Sequence, residues 1–192
     1  LYRGKILLEF DDKEHKYSVD GKTAYGVTSI TNIISKPGLI YWAAKEGAKV
    51  FEGIVKPGMM LDEVKIKEIS NLISSAHSQV KDRAADLGSM IHQWLNDFLR
   101  AGLAKKPIPK LPVNPEMKSA VQSFLDWAKK NKVKFKATEK KIYSKKWNYA
   151  GTLDAVATVN GKVAIIDFKT GKAVYPEMFL QTAAYQAAFE EE

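Results

Sequence analysis

The sequence predicts an α/β fold whose second half is a helix, a three-stranded antiparallel meander and a second helix, preceded by an N-terminal, largely helical elaboration. Three observations carry this. Val133 to Tyr143 alternates in the manner of a strand. Tyr149 to Val159 and Lys162 to Lys169 are two further extended runs joined by Asn160-Gly161, a pair suited to a type I′ turn because both positions need positive φ. On either side the period becomes helical. Pro115 opens a helix to about Asn131 with Met117, Val121, Phe124, Leu125 and Ala128 on one face, and Pro176 opens the helix PEMFLQTAAYQAAFEEE.

Ahead of this lie shorter elements. ILLEF and HKYSV read as strands, and Asp20-Gly21 as a hairpin turn. VTSITNIIS reads as a short helix with Thr28 or Ser29 near its cap, broken by Pro37-Gly38. Leu39 to Val50 reads as a second helix, ended by Pro57-Gly58. Leu61 to about Ala101 is helical in pattern with Gly88 as the expected break, and the proline-rich stretch Lys105 to Pro115 is a connector. The chain is accordingly divided into 1–87, the elaboration, and 88–192, the core. Leu1 rather than Met opens the chain, which is compatible with a longer natural N-terminus.

Composition narrows the chemistry. A chain of 192 residues buries enough surface to fold without staples. It has no cysteine, which excludes disulfides, thiol catalysis, iron–sulphur clusters and cysteine zinc sites, and agrees with a reducing cytoplasm. No apolar run reaches the roughly 20 residues of a membrane span, so no membrane partner is expected. The formal net charge is +8. Lys129 to Lys146 holds nine lysines and one acid, Glu139, and so accounts for all of it; elsewhere 21 basic residues meet 21 acids. A neutral body with one basic stripe fits a polyanion partner, while the plainer reading is a solvated helix end and an exposed strand. Only three of the basic residues are arginine, which favours point contacts to phosphate over base reading.

Counting outward from Asn160-Gly161 sets the hairpin register. Val159 faces Lys162, Thr158 faces Val163, and Asp154 falls opposite Asp167. Opposed residues project to one face, and Lys169, two further on, joins them. The neighbours Ala155, Val156, Ile165 and Ile166 are apolar. Two carboxylates opposed in apolar surroundings repel and lose hydration. A divalent cation offsets this, since hard cations prefer carboxylate oxygens. A structural Asp–Lys–Asp cluster or a shared-proton pair remain alternatives.

These residues resemble the PD-(D/E)XK nuclease signature. GTLD supplies Leu153-Asp154 where the name has Pro-Asp, IIDFK supplies Asp167-Phe168-Lys169, and QTAAY on the next helix places Gln181 and Tyr185 on one face. GSMIHQWL is similar to the helical histidine motif of the RecB-like exonuclease branch and places His92. The front end, with YSVDGK, VTSIT and Trp42, is similar to the same branch less specifically. The resemblance implies a restriction-endonuclease-like core and dependence on Mg²⁺ or Mn²⁺. It implies a metal held by His92, Asp154, Asp167 and the backbone carbonyl of Phe168. The iron–sulphur members need four cysteines, so this chain is not one of them. The family core also has a strand after the Gln181–Tyr185 helix, expected either from beyond Glu192 or from elsewhere.

Under that resemblance Lys169 orients or activates the attacking water and stabilises charge on the phosphate; the alternative is a salt-bridge partner. Gln181 and Tyr185 hydrogen-bond near Lys169 or the DNA backbone, or form a polar edge of a packed helix. A lone histidine on the apolar face of Ile91, Trp94, Leu95 and Phe98 is more often a boundary residue than a ligand, and the resemblance favours ligation. Glu139 is either a further acid near the metal or charge relief among lysines. Lys140, Lys141, Lys145 and Lys146 are candidates for phosphate contact, with Trp147 available for stacking on single-stranded DNA and Tyr149 expected in the core. The function expected is a Mg²⁺-dependent deoxyribonuclease acting on DNA, an exonuclease of repair, recombination or phage DNA processing in a bacterial or phage-infected cytoplasm. The alternatives are a structure-specific endonuclease on the same fold and a catalytically silent DNA-binding subunit.

Overall fold

A computed structural model describes every residue except Lys172. The elements run β1 (Leu8–Asp11), β2 (Lys16–Val19), β3 (Lys22–Gly26), α1 (Val27–Thr31), α2 (Gly38–Ile54), α3 (Glu63–Leu103), α4 (Pro115–Lys130), β4 (Lys134–Ser144), β5 (Tyr149–Val159), β6 (Lys162–Ile166) and α5 (Pro176–Glu191). Among the described residues the fold is mixed α/β, with five helices and a sheet of six strands in which only the β3–β5 pair is parallel.

β5 is the axis of the sheet. β4 pairs along its whole length, from Ser144↔Tyr149 to Lys134↔Thr158. Its other edge is shared: β3 pairs with its start through Tyr25↔Tyr149 and Gly26↔Ala150, and β6 with its end. The β5–β6 register runs from Val159↔Lys162 to Ala155↔Ile166, with Asn160 and Gly161 at φ 48° and 86°, as the turn chemistry predicts. Asp20 and Gly21, at φ 49° and 78°, turn β2 into β3 in the same way.

Contacts divide the chain into two compact units, 1–34 with 90–192, and 35–89. The sequence division at 87/88 separates the front strands from the core. By contacts those strands belong with the later unit, because β3 hydrogen-bonds to β5 and the Tyr17 hydroxyl lies 2.9 Å from Thr152 Oγ1. In that unit α5 packs on the sheet through Tyr185 and Ala188, against Ile142, Tyr149 and Leu153. Ile6 and Ala24 pack with Tyr143 and Ala150. Phe124 of α4 meets Phe168 edge-on at 5.3 Å and Phe135 at 5.8 Å. In the other unit, a methyl group on Gly47 of α2 would stand 3.1 Å from Ile73 of α3, so glycine permits that close approach.

Four local expectations change. α3 passes through Gly88 without a break: one glycine costs a helix only about 1 kcal/mol, and the residues around it are helix formers. The cap of α1 is Gly26, extended at φ −75° and ψ 139°, not Thr28 or Ser29, because β3 leads straight into the helix. β6 ends at Ile166, not Lys169, since the Phe168 N–H turns to a side-chain carboxylate instead of the ladder. β4 carries a bulge at Phe135/Ala137. The cap of α4 is Asn114, whose Oδ1 accepts from Met117 N–H at 3.0 Å. Asn114→Ala is expected to lower unfolding free energy by about 1 kcal/mol in urea titration.

Candidate active site

The hairpin brings Asp154 and Asp167 together as its register requires. Asp154 is the next residue on β5 beyond the last ladder pair, Ala155↔Ile166, and Asp167 is the first residue past β6. The Phe168 N–H donates to Asp154 Oδ2 at 2.6 Å, so the strand exit is tied to the carboxylate it faces. On its other oxygen, Asp154 Oδ1 lies 3.6 Å from Nδ1 of His92, delivered by α3. The His92 ring also stands edge-on to Phe168 at 5.8 Å.

Asp167 is bonded on both oxygens. The Lys169 ammonium sits on Oδ2, and Gln181 Nε2 donates to Oδ1 at 3.1 Å. The same Gln181 nitrogen lies 3.0 Å from the Tyr185 hydroxyl. Gln181 and Tyr185 are one helical turn apart, which is why α5 presents both to one place. The Tyr185 ring lies over Gly151, where a methyl group would come within 2.5 Å of its Cε1. His92 and Asp154 thus form one bonded pair, and Asp167, Lys169, Gln181 and Tyr185 a second bonded set, with the backbone of Phe168 between them.

The charges are mutually adjusted. Burial raises the Asp167 pKa above its ordinary 3.8, the Lys169 hydrogen bond and charge pull it down, and the Asp154 charge adds to the rise. His92 is raised above 6.5, first by its hydrogen bond with Asp154 and then by that charge, against burial and the repulsion of Lys169. Tyr185 is pushed up to about 12 by burial and by the charges of Asp167 and Asp154, against the Gln181 hydrogen bond that its hydroxyl accepts, so it stays neutral.

Because the folded pKa of His92 lies above the unfolded one, its stabilising contribution is complete below pH 6.5 and is lost as pH rises through the raised value. Asp167, raised from 3.8, slopes stability the same way. The difference between wild type and His92→Gln isolates the histidine. The Tm of wild type is expected to fall more than that of His92→Gln between about pH 6 and pH 8, as calorimetry would show.

Two carboxylates and an imidazole are suitable donors for a hard divalent cation. Among the described residues, however, no three His, Cys, Asp or Glu side chains stand together as a metal cage. Instead His92 and the Phe168 N–H meet Asp154, while Lys169 and Gln181 meet Asp167, each carboxylate turned to donors of the protein. Each carboxylate oxygen retains a second lone pair, so the set fits a cation once the Lys169 and His92 contacts loosen. At Phe168 it is the N–H that is tied to Asp154.

Glu139 stands between Thr138↔Ala155 and Lys140↔Leu153, level with Asp154. Its backbone nevertheless adopts φ 45°, and its carboxylate pairs with Arg100 of α3. Its partner is thus an arginine of α3 from outside the lysine stripe. Two positioning residues were not foreseen. The Thr138 hydroxyl lies 2.9 Å from the Asp154 carbonyl and 3.1 Å from Oδ1 of Asn96, a buried side chain. Asn96 is four residues after His92 on α3, a spacing that flags a shared face.

The lysine stripe follows β4, at the end of the sheet path. Charge on such an edge also discourages pairing with another chain. Lys140 pairs with Glu192 at 3.0 Å and Lys141 is exposed. Lys145 lies over the Tyr2 ring at 4.1 Å, and Lys146 over Trp147, which is 64% exposed. Tyr149 is core: it is buried and its hydroxyl donates to the Ala184 carbonyl at 2.7 Å. Among the described residues no helix is long and apolar enough to cross a membrane. Comparison of the chain with protein-family models finds no match, and none is found among curated proteins.

Proposed function

We propose that the chain is a metal-dependent deoxyribonuclease of the PD-(D/E)XK type, on a restriction-endonuclease-like core, and an exonuclease of the RecB-like branch acting in the cytoplasm. The observation that supports this best is the meeting of His92, Asp154, Asp167, Lys169, Gln181 and Tyr185 where β6 ends against the middle of β5. They come from a hairpin, the helix after it and a helix upstream. Structural ion pairs alone do not require the added glutamine, tyrosine and histidine.

In this reading Asp154 and Asp167, with His92, hold Mg²⁺ or Mn²⁺, which supplies Lewis-acid polarisation of the phosphoryl oxygen and a lowered pKa for the attacking water. Lys169 leaves Asp167 to orient that water and to meet the charge that develops on the phosphate. Gln181 holds the Asp167 carboxylate, and Tyr185 holds Gln181. The water oxygen forms the new P–O bond and gives up one proton to solvent, the bond to the departing sugar oxygen breaks, and that oxygen takes a proton back from solvent.

The test is incubation of end-labelled linear DNA, single- and double-stranded, beside closed circular DNA, with Mg²⁺, Mn²⁺ or EDTA. Loss of linear DNA with metal alone, circles surviving, is the expected result, and the labelled end gives the polarity. Cut circles would replace the exonuclease reading by the endonuclease. Binding without cleavage under either metal would replace both by a DNA-binding subunit.

A further inference from the structure

Away from this cluster, the turn between β4 and β5 gathers a second set of donors, all directed at one carboxylate. Ser144 Oγ, wholly buried, donates to Glu191 Oε2 at 2.6 Å. The backbone N–H groups of Lys145 and Lys146 donate to Glu191 Oε1 at 2.8 and 3.1 Å. The Tyr2 hydroxyl stands 3.0 Å from the same oxygen and 2.8 Å from the Tyr143 carbonyl. Trp147 N–H donates to Ser144 Oγ at 3.2 Å, which leaves the serine proton for the carboxylate. Burial pushes the Glu191 carboxyl up, but the bonds from Ser144, Lys146, Tyr2 and Lys145 together hold it below the usual range.

Consecutive backbone N–H groups converging on one anion form a nest of the kind that binds phosphate. Here the nest has a buried hydroxyl at its base. Lys145, over the Tyr2 ring, and Lys146, over Trp147, stand at its rim, and Lys140 is nearby, paired with Glu192. We propose that this turn is a phosphate-binding cradle, filled by Glu191 in the DNA-free protein and taken over by a backbone phosphate of a bound DNA strand. The proposal rests on the reading of the chain as a DNA-cutting enzyme.

A carboxylate and a phosphate accept the same donors, and a phosphate offers further oxygens to the lysines that a single carboxylate cannot reach. The exposed Trp147 indole adds a surface for stacking a neighbouring base. α5 sets the spacing. Glu191 lies ten residues beyond Gln181, about 15 Å along the helix. A strand whose scissile phosphate sits at Asp167 therefore has to run on by more than one nucleotide to reach the cradle. Oligonucleotides too short to span the two sites lose the contact.

Glu191→Gln tests the proposal by removing the charge and keeping the shape. In EDTA, where nothing is cleaved, the variant is expected to bind a labelled single-stranded 12-mer about fivefold more tightly than wild type at low salt, the effect of one like charge at contact distance in water. Inorganic phosphate is expected to shift the Lys145 and Lys146 amide resonances of the variant at lower concentration than those of wild type. Unchanged or weaker DNA binding with unmoved amides would make Glu191 a fixed clamp joining α5 to the turn. Amides moved by phosphate with unchanged DNA affinity would make the cradle a site for another anion; either result overturns the proposal. If the variant does not fold, DNA titration of wild type decides, since those two amides must shift. Cleavage is read separately, so a cutting enzyme with an unaltered Glu191→Gln affinity sinks this inference alone.

Discussion

Lys169→Ala is expected to lower single-turnover DNA cleavage by roughly 10²–10³-fold, the usual consequence of removing one preorganised charge from a developing transition state. The variant should remain folded. The Lys169 side chain is one-third exposed, whereas that of Asp167 is nearly enclosed, so deletion removes a charge from the rim and not a packing group from the core. Asp167 then loses the strongest influence holding its pKa down, while burial and Asp154 continue to raise it. The remaining activity should need higher pH than wild type, because Asp167 must be ionised to hold a cation and now ionises later. Lys169→Arg should not restore the rate, since a planar guanidinium cannot substitute for a compact ammonium on one carboxylate oxygen. Rates measured across pH with Mg²⁺, alongside thermal unfolding, separate the two effects. Retention of most of the wild-type rate by a folded Lys169→Ala would leave Lys169 as a salt-bridge partner and remove the central residue of the proposed mechanism.

Apart from His92, which only the resemblance to a helical histidine motif points to, the elements of the candidate site legible in the sequence share one property: local rules of fixed period or fixed turn geometry place them. Asn160-Gly161 sets the hairpin register, so opposition of Asp154 and Asp167 needs only counting. Gln181 and Tyr185 are joined by helical spacing, and the α4 face led by Val121 by the same period. What stayed hidden depends on contacts between distant segments. The β3–β5 pairing consists of two residue pairs spanning most of the chain, and no alternation in either strand announces it. Arg100 reaching Glu139, Thr138 under Asp154 and Glu191 on the β4–β5 turn are of the same kind. Gly88 was misread for the opposite reason: a local signal of about 1 kcal/mol was given more weight than a helix of 41 residues allows. The lysine stripe suggests a polyanion partner by composition, and its position on an edge strand supplies a second, structural reason for the charge that composition does not show.

Gly151→Val should damage stability and cleavage together, and the order of effects reports how α5 is coupled to the site. Gly151 pairs with Ile142 in the middle of the β4–β5 ladder, where glycine is otherwise a poor strand residue. Its value lies in what covers it. An added Cβ would lie 2.5 Å from Tyr185 Cε1, closer than carbon atoms approach, and 3.2 Å from Cδ1, a tight contact. Neither side can yield cheaply. Tyr185 is buried and bonded to Gln181, while Gly151 is pinned by its strand. Overpacking of this kind costs about 1–3 kcal/mol, and valine brings two methyl groups more than the Cβ alone. The relief is an outward shift of Tyr185, which takes Gln181 from Asp167 and lets that carboxylate turn. A displacement of about 1 Å at a positioning group can cost roughly 10²-fold in rate. Valine at 151 is therefore expected to lower the urea midpoint and to reduce cleavage by more than the folded fraction explains. Tyr185→Ala in the same chain should return part of the stability by removing the clash and none of the cleavage. A Gly151→Val protein with wild-type cleavage per folded molecule would show that Tyr185 and Gln181 only pack the helix and do not position Asp167.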